Sequence, residues 1–147
     1  MTLPNLPDGT LEGDTHLYAV RVYYEDTDMG GVVYHANYLR YIERARSDYV
    51  RELGNDQNAM REGGVVWVVR RLECDYLATA KFDDRLVVET EVADFSGARL
   101  TMTQTVLREG QSIFTATVTA VCMNAAGRPV RLPAEIRTQL VSARPKT

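Results

Sequence analysis

Residues 36–53, ANYLRYIERARSDYVREL, decide the fold of this 147-residue chain. Their apolar positions recur at spacings of three and four, which is typical of an amphipathic helix, and only Arg46 breaks the stripe. The stripe comprises Leu39, Ile42, Arg46, Tyr49 and Leu53, and the opposite side is expected to carry Arg40, Arg44, Asp48 and Arg51. Gly54 supplies a stop signal. Eighteen residues at about 1.5 Å each predict roughly 27 Å of helix, enough to span one face of a sheet.

Strand-like segments lie on both sides of this helix. One precedes it at 16–24, and four follow it at 65–77, 85–95, 98–108 and 111–123. Short breaks at Ser96-Gly97 and Glu109-Gly110 predict hairpins, so the last three strands are expected to be antiparallel. The polar residues 55–64 end in two glycines and predict a connection, and Pro133 is expected to open a short helix through Leu140.

The order of these elements predicts a single α+β domain over residues 15–147. Residues 1–14 show no periodicity and predict a loose N-terminal leader without a signal peptide. One helix covers only part of a five-stranded sheet. A partner subunit is the simplest cover for the rest of it.

The composition is that of an ordinary globular protein, with 45% hydrophobic residues, and it excludes collagen-like, disordered and disulfide-scaffold classes. A formal net charge of −3 argues against nucleic acid as a partner. Cys74 and Cys122 lie in apolar strand-like runs and are expected to be buried free thiols. No segment is apolar enough for an integral membrane span, and a cytoplasmic location is expected. Fifteen Arg against two Lys (Lys81 and Lys146) fit either genomic codon bias or a local anionic site.

The densest group of reactive side chains is residues 23–35, YYEDTDMGGVVYH, between the first strand and the helix. Its carboxylates precede a helix N-terminus, where unpaired N–H groups and the helix dipole place partial positive charge. A carbonyl held there would be polarised, and a carboxylate nearby would attack its carbon or activate a water. The same residues also suit a helix cap and a Gly-Gly turn, and a lone His35 is more often structural, so both interpretations stay open from the residues alone.

Other chemical motifs are absent from the sequence. The run Asp26-Thr27-Asp28 begins like a calcium loop, but Gly30 and Asn37 stand where ligands are required. Two histidines do not indicate a zinc or iron site. Because G-x-S-x-G, phosphate-loop and G-x-G-x-x-G patterns are missing, a serine hydrolase of that type and a Rossmann domain are disfavoured.

Residues 22–46, VYYEDTDMGGVVYHANYLRYIERAR, resemble the signature of the hot-dog fold acyl-CoA thioesterases. They are most similar to the branch associated with the tol–pal cluster, which is related to 4-hydroxybenzoyl-CoA thioesterase. The order of elements is compatible with this family over residues 16–141. The resemblance implies a hot-dog fold, in which a five-stranded antiparallel sheet wraps a long central helix. It also implies a homodimer, often assembled further as a tetramer of dimers.

The resemblance assigns roles to individual residues. The acid of D-x-D-x-x-G nearest the glycines is catalytic in that family, and here it is Asp28. The aromatic or His after Val-Val-Tyr lies beside the thioester, and here it is His35. The carbonyl oxygen is expected at the helix start near Ala36. Tyr34 is expected either to wall the acyl pocket or to pack in the core.

The resemblance also implies roles for residues that would bind CoA or hold the site in place. The pantetheine arm is taken to enter between subunits, and Arg99 and, less directly, Arg131 fall near the positions of phosphate contacts. Asp26 is expected to be an acceptor that fixes the loop. Glu43 is expected to form a structural ion pair with Arg46, three residues further along the helix.

Together these features predict hydrolysis of an acyl-CoA thioester to a free acid and CoA. An Asp is ordinarily ionised at neutral pH, so Asp28 would act as nucleophile or as general base. No metal or redox cofactor is required, since CoA is part of the substrate. Two alternatives remain at this point: a hot-dog dehydratase or hydratase that uses the carboxylate and His35, and a weakly active acyl-binding adaptor.

Overall fold

The computed structural model describes residues 4 and 8–143. Its strands are β1 (Thr10–Glu12), β2 (Thr15–Arg21), β3 (Val65–Tyr76), β4 (Arg85–Ser96), β5 (Arg99–Arg108) and β6 (Gln111–Asn124). Its α-helices are α1 (Asn37–Glu52), α2 (Gln57–Glu62) and α3 (Ala134–Ala143), and one turn of 3₁₀ helix covers Tyr24–Asp26. The predicted long helix, the later strands and the C-terminal helix are therefore all present, with ends shifted by a few residues.

All six strands form one antiparallel sheet in the order β1-β2-β4-β5-β6-β3. The sheet has one strand more than predicted, because residues 10–12, expected within a loose leader, pair with β2. The predicted hairpins join β4 to β5 and β5 to β6. The second is a two-residue turn in which both Glu109 and Gly110 have positive φ, as a type I′ turn requires.

The helix α1 packs across β2 and β4. Its buried apolar residues are Tyr38, Tyr41, Ile42, Ala45, Tyr49 and Val50. The buried face is thus rotated from the predicted stripe, in which Leu39 and Arg46 turn out to be only partly buried. The rotation arises because tyrosine rings pack as apolar surface, and the Tyr38 ring stacks on Phe114 with 5.0 Å between centroids.

The C-terminus of α1 ends as its glycine predicts. Gly54 has φ +86, its N–H donates to the Arg51 carbonyl at 2.9 Å, and the Asn55 N–H donates to the Val50 carbonyl at 3.2 Å. These two bonds form a Schellman motif and satisfy carbonyls that the helix leaves unpaired. The short helix α2 follows at once, although the polar residues there predicted only a connection. Asp56 caps it by accepting from the Asn58 and Ala59 N–H groups.

One residue predicted on the exposed side of α1 is buried instead. The Asp48 side chain is only 3% exposed and lies 2.6 Å from Nε2 of the fully buried His16. It also accepts from Arg51 at 2.8 Å and from the Gly9 N–H at 3.0 Å. These donors, brought from three segments of the chain, replace the water that a carboxylate loses on burial.

A second buried polar group lies beneath the middle of α1. The Gln104 amide donates to the Ile42 carbonyl and to the Thr90 hydroxyl, both at 2.9 Å, and its oxygen accepts from Arg46 at 3.1 Å. The predicted ion pair between Glu43 and Arg46 is not a direct salt bridge within the described residues, because Arg46 turns towards this amide, and the Glu43 charge acts on Arg46 only at longer range. The Glu43 carboxylate accepts from the Ser47 hydroxyl instead, at 3.2 Å.

Both cysteines are free, as predicted. Cys122 is buried, whereas Cys74 is only partly buried. No helix within the described residues is long and apolar enough to cross a membrane.

Candidate active site

Asp28 lies in a tight loop that leads from β2 to α1. Its N–H donates to the Val32 carbonyl at 2.9 Å, and its carbonyl accepts from Gly31 at 3.0 Å. Gly31 has φ +80, so the turn favours glycine at that position. The Asp28 Oδ1 accepts from the Gly30 N–H at 2.8 Å, while the side chain is exposed. The loop thus holds one carboxylate oxygen in place and leaves the group accessible.

Asp26 anchors this loop to the helix and is 3% exposed. Its Oδ2 accepts from the Tyr23 N–H and its Oδ1 from the Asn37 side chain, both at 2.8 Å. Its backbone carbonyl accepts from the Tyr34 N–H at 2.8 Å. This is the loop-fixing role predicted from the sequence.

Burial and the nearby Asp26 charge raise the pKa of the Tyr41 hydroxyl, which therefore stays neutral beneath the loop.

The two residues that lead into α1 present unpaired amides. Ala36 is the N-cap residue and offers no side-chain cap. The Asn37 N–H donates to the Tyr34 carbonyl at 2.8 Å. Within the described residues, the N–H groups of His35 and Ala36 donate no hydrogen bond. These two donors stand where the helix dipole is positive, which suits an oxyanion.

The His35 side chain is exposed beside the helix start. Its ring lies 4.6 Å from the Tyr34 ring and 6.3 Å from the Tyr76 ring, between centroids. Tyr34 is 44% exposed, so its ring is not a core residue. The structure thus places the four residues predicted for the chemistry (Asp28, Tyr34, His35 and Ala36) in one short segment on the surface.

The two predicted phosphate-binding arginines lie elsewhere in the chain. Arg99 follows the β4–β5 hairpin and pairs with Asp94 at 2.9 Å, and Arg131 is next to Leu132, whose N–H donates to the Gly97 carbonyl. The loop of Asp28 instead lies near the other end of β4, a strand of 12 residues that is roughly 40 Å long at about 3.3 Å per residue. A single subunit therefore does not bring these arginines to Asp28.

Two residues at this site were not predicted. The Asn37 side chain bonds Asp26, and the Tyr76 hydroxyl donates to the His35 carbonyl at 2.8 Å. Asn37 stood within the quoted signature and follows a D-x-D run, so its polar side chain at a helix start was a usable signal. Tyr76 lies 41 residues from His35 along the chain, and no local pattern indicates that contact.

A model of the thioesterase-like superfamily matches residues 22–140, which run from the end of β2 through most of α3. The chain belongs to this superfamily. It is 44% identical over 122 residues to the acyl-CoA thioesterase YbgC of Haemophilus influenzae, covering 82% of this chain and 90% of that protein. It is 40% identical over 121 residues to the acyl-CoA thioester hydrolase YbgC of Escherichia coli O157:H7, covering 81% of this chain and 90% of that protein.

Solved structures of the superfamily share the fold. A probable thioesterase from Bartonella henselae has a TM-score of 0.77 at 37% identity, with 81% of this chain and 99% of that chain covered. A 4-hydroxybenzoyl-CoA thioesterase variant, at 22% identity, has a TM-score of 0.78 and covers 86% of this chain and 98% of its own. The hot-dog fold and the family predicted from residues 22–46 are thereby confirmed.

Proposed function

We propose that this protein hydrolyses acyl-CoA thioesters to a free carboxylic acid and CoA, with Asp28 as the catalytic carboxylate. The enzyme class predicted from the sequence is confirmed by the two YbgC relatives, which are named for this activity. The observation that supports the residue assignment is geometric. Asp28 is exposed on a loop that Asp26 ties to a helix start, where the His35 and Ala36 N–H groups are unpaired.

The general-base route uses Asp28 as the acceptor of a water proton. As the water oxygen bonds to the thioester carbon, the carbonyl oxygen becomes an oxyanion next to the His35 and Ala36 amides. The intermediate then collapses and the C–S bond breaks. The proton taken by Asp28 passes to the departing thiolate, so the products are the acid and the CoA thiol.

The nucleophilic route uses the same carboxylate without prior proton transfer. Asp28 oxygen bonds to the thioester carbon, CoA leaves as a thiolate, and water then hydrolyses the mixed anhydride. The two routes differ in time course. A rapid burst of thiol that precedes release of the acid indicates the nucleophilic route, because the anhydride then accumulates.

His35 is proposed to fix the substrate or to donate a hydrogen bond beside the thioester, and Tyr34 to wall the acyl pocket. Both side chains are exposed next to the helix start, which supports these roles. Arg99 and Arg131 are proposed to hold the phosphates of CoA. Since they lie at the far end of their own subunit, they would serve this site only from a partner subunit.

A homodimer, with a tetramer as the larger assembly, is proposed from the outer edge of β3. The edge strand β1 has only three residues, whereas β3 has twelve. Three valines of β3 are more than one-third exposed (Val66, Val68 and Val69). A long, apolar, unpaired edge is normally covered. The tol–pal association, the cytoplasmic location and the absence of a cofactor stay predictions.

The test is thiol release from acyl-CoA substrates of graded chain length, with Asp28→Asn beside the wild type. We expect the variant to lose at least about 100-fold in kcat, because general-base or nucleophilic assistance is removed, and to unfold at the wild-type temperature. Asp83→Asn is the matched control, since Asp83 is an exposed carboxylate that, among the described residues, pairs with Arg21 alone. Near-wild-type turnover by Asp28→Asn would show that the assignment is wrong, and no thiol release by the wild type would reject the function.

A further inference from the structure

Two carbonyl groups just before α1, those of Tyr34 and His35, accept hydrogen bonds. The Tyr34 carbonyl accepts from the Asn37 N–H, and the His35 carbonyl accepts from the Tyr76 hydroxyl, each at 2.8 Å. The chain contains no cis peptide bonds within the described residues. In a trans peptide the C=O and the following N–H point in opposite directions. Fixing the His35 carbonyl therefore fixes the direction of the Ala36 N–H.

We propose that Tyr76 is a positioning residue for hydrolysis, whose hydroxyl orients the peptide between His35 and Ala36 so that the Ala36 N–H faces the substrate oxyanion. The inference rests on the proposed function. The first bond of the pair is made within the helix start and needs no other element. The bond to the His35 carbonyl is made by Tyr76, on a strand that is remote in sequence. Tyr76 is therefore the residue that fixes the direction of the Ala36 N–H.

The Tyr76 ring is well held for this task. Tyr76 is the last residue of β3 and pairs with Phe114 on β6. Its ring packs edge-on against Phe114, with 5.0 Å between centroids, and against Tyr38, with 5.7 Å. A donor on a rigid strand positions its partner more narrowly than a donor on a loop does.

The Tyr76 hydroxyl also remains a donor over the working pH range. Tyr76 is 47% exposed, and the partial burial that remains, together with the neighbouring Cys74, raises its pKa above the ordinary value. The hydroxyl is therefore protonated at neutral and mildly alkaline pH. No loss of this hydrogen bond by titration is expected there.

The direct test is Tyr76→Phe, which deletes the hydroxyl and keeps the ring contacts. We expect kcat for acyl-CoA hydrolysis to fall about 10-fold, less than the loss of a whole oxyanion donor, with KM within about two-fold of wild type. Tyr24→Phe is the matched control, because it removes a hydroxyl from an exposed ring that stacks on Phe82. It should leave kcat and the unfolding temperature unchanged.

A spectroscopic readout separates positioning from a structural role. A ketone analogue of acyl-CoA, with CH₂ in place of sulfur, places an unreactive carbonyl at the same point. Its isotope-edited infrared stretch should shift to lower frequency on binding the wild type, and by a smaller amount on binding Tyr76→Phe. The NMR signal of the Ala36 amide proton should move downfield on binding in the wild type, and this measurement does not depend on the variant.

The outcomes are distinct. Equal carbonyl shifts in wild type and Tyr76→Phe, or an Ala36 amide that does not respond, would overturn the role of Tyr76 while acyl-CoA hydrolysis by the wild type still stands. A fall in kcat that follows a lowered unfolding temperature, with an unchanged carbonyl shift, assigns Tyr76 a structural role only and also overturns the proposal. A wild-type protein that hydrolyses no acyl-CoA rejects the proposed function, and this inference with it.

Discussion

Three aspartates within 23 positions of the chain serve three different purposes, and their surroundings set the difference. The Asp28 side chain is exposed and, in the part of the chain that the structure describes, is bonded to one loop amide. Asp26 is buried and bonded to two donors that join the loop to α1. Asp48 is buried against a histidine and an arginine. Only the first of these is accessible to a substrate, which is why the proposed chemistry is placed there.

Asp48 makes the stability of the fold depend on acid. Burial raises its pKa, but hydrogen bonds from His16, Arg51 and the Gly9 N–H outweigh burial and hold the pKa below its ordinary value. The folded-state pKa is thus below that of the unfolded chain, about 3.9. The stabilisation is therefore complete at neutral pH and is lost as the pH falls through the folded-state pKa.

We expect Asp48→Asn to lower the free energy of unfolding by about 3 kcal/mol at pH 7, because it leaves His16 and Arg51 without their charged partner. The difference from wild type should shrink below about pH 4. Urea unfolding of the variant and the wild type at a series of pH values measures this difference in the free energy of unfolding. Asp83→Asn, which breaks only an exposed pair, should cost under about 1 kcal/mol at every pH. A constant difference between Asp48→Asn and wild type from pH 7 to pH 3 would contradict this linkage.

The residues that could be read from the sequence are those whose partners are close along the chain. Asp28 bonds within the loop itself, and the partners of Asp26 are at most 11 positions away, so the resemblance carried by this short stretch was enough to single out both aspartates. His16 and Asp48 are 32 positions apart, and nothing in the sequence of either segment points to the other. The sequence around His16 therefore indicates no role for it, and Asp48 was expected on the exposed side of α1.

At the scale of elements, the sequence predicted a helix end best where a single glycine or proline marks it. Gly54 ends α1 and Pro133 directly precedes α3, as expected. The face that α1 buries was predicted less well, because a residue such as Tyr41 counts as polar or apolar according to its surroundings. The Glu43–Arg46 pair lacks the predicted direct contact for a related reason, since a buried Gln104 from β5 competes for Arg46.

The C-terminal cap of α1 provides a prediction at this scale. Gly54→Ala should reduce the free energy of unfolding by about 1 kcal/mol, because a residue with a Cβ is strained at φ +86. Gly63→Ala is the matched control at the end of α2, where φ is −79 and an added Cβ meets only ordinary contacts, the nearest at 3.4 Å. Thermal and urea unfolding of both variants measure the difference. Equal stability of the two variants would contradict the cap assignment.

At the scale of the whole molecule, the sheet has two unlike edges. The β1 edge is blunted by its length of three residues, whereas the β3 edge is long and carries exposed valines. A cleft between β3 and α1 lies along this edge and is lined by Leu39, Arg40, Ile42, Glu43, Arg46, Val69 and Leu72. The sequence predicted a partner subunit because one helix cannot cover the whole sheet. It did not predict which edge of the sheet the partner would contact.

The proposed dimer gives a prediction at this scale. Val69→Glu places a charge on the exposed β3 edge, where Val69 is 49% exposed, and should convert a dimer into monomers by light scattering. Hydrolysis should be lost with dissociation, because the CoA phosphates are proposed to be held by the partner subunit. Val141→Glu, on the exposed side of α3, should leave the dimer intact. A fully active wild-type monomer, or an unaffected dimer in Val69→Glu, would contradict the shared site.

The buried attachment of the Asp28 loop has a consequence for how such a protein diversifies. The Asp26 carboxylate and the Asn37 amide hold the loop from beneath, whereas the cleft between β3 and α1 is bounded by other side chains. Changes in the size of those side chains can accumulate without disturbing the carboxylate. The shape of that cleft can thereby vary within a lineage while the loop keeps its attachment and the carboxylate keeps its place.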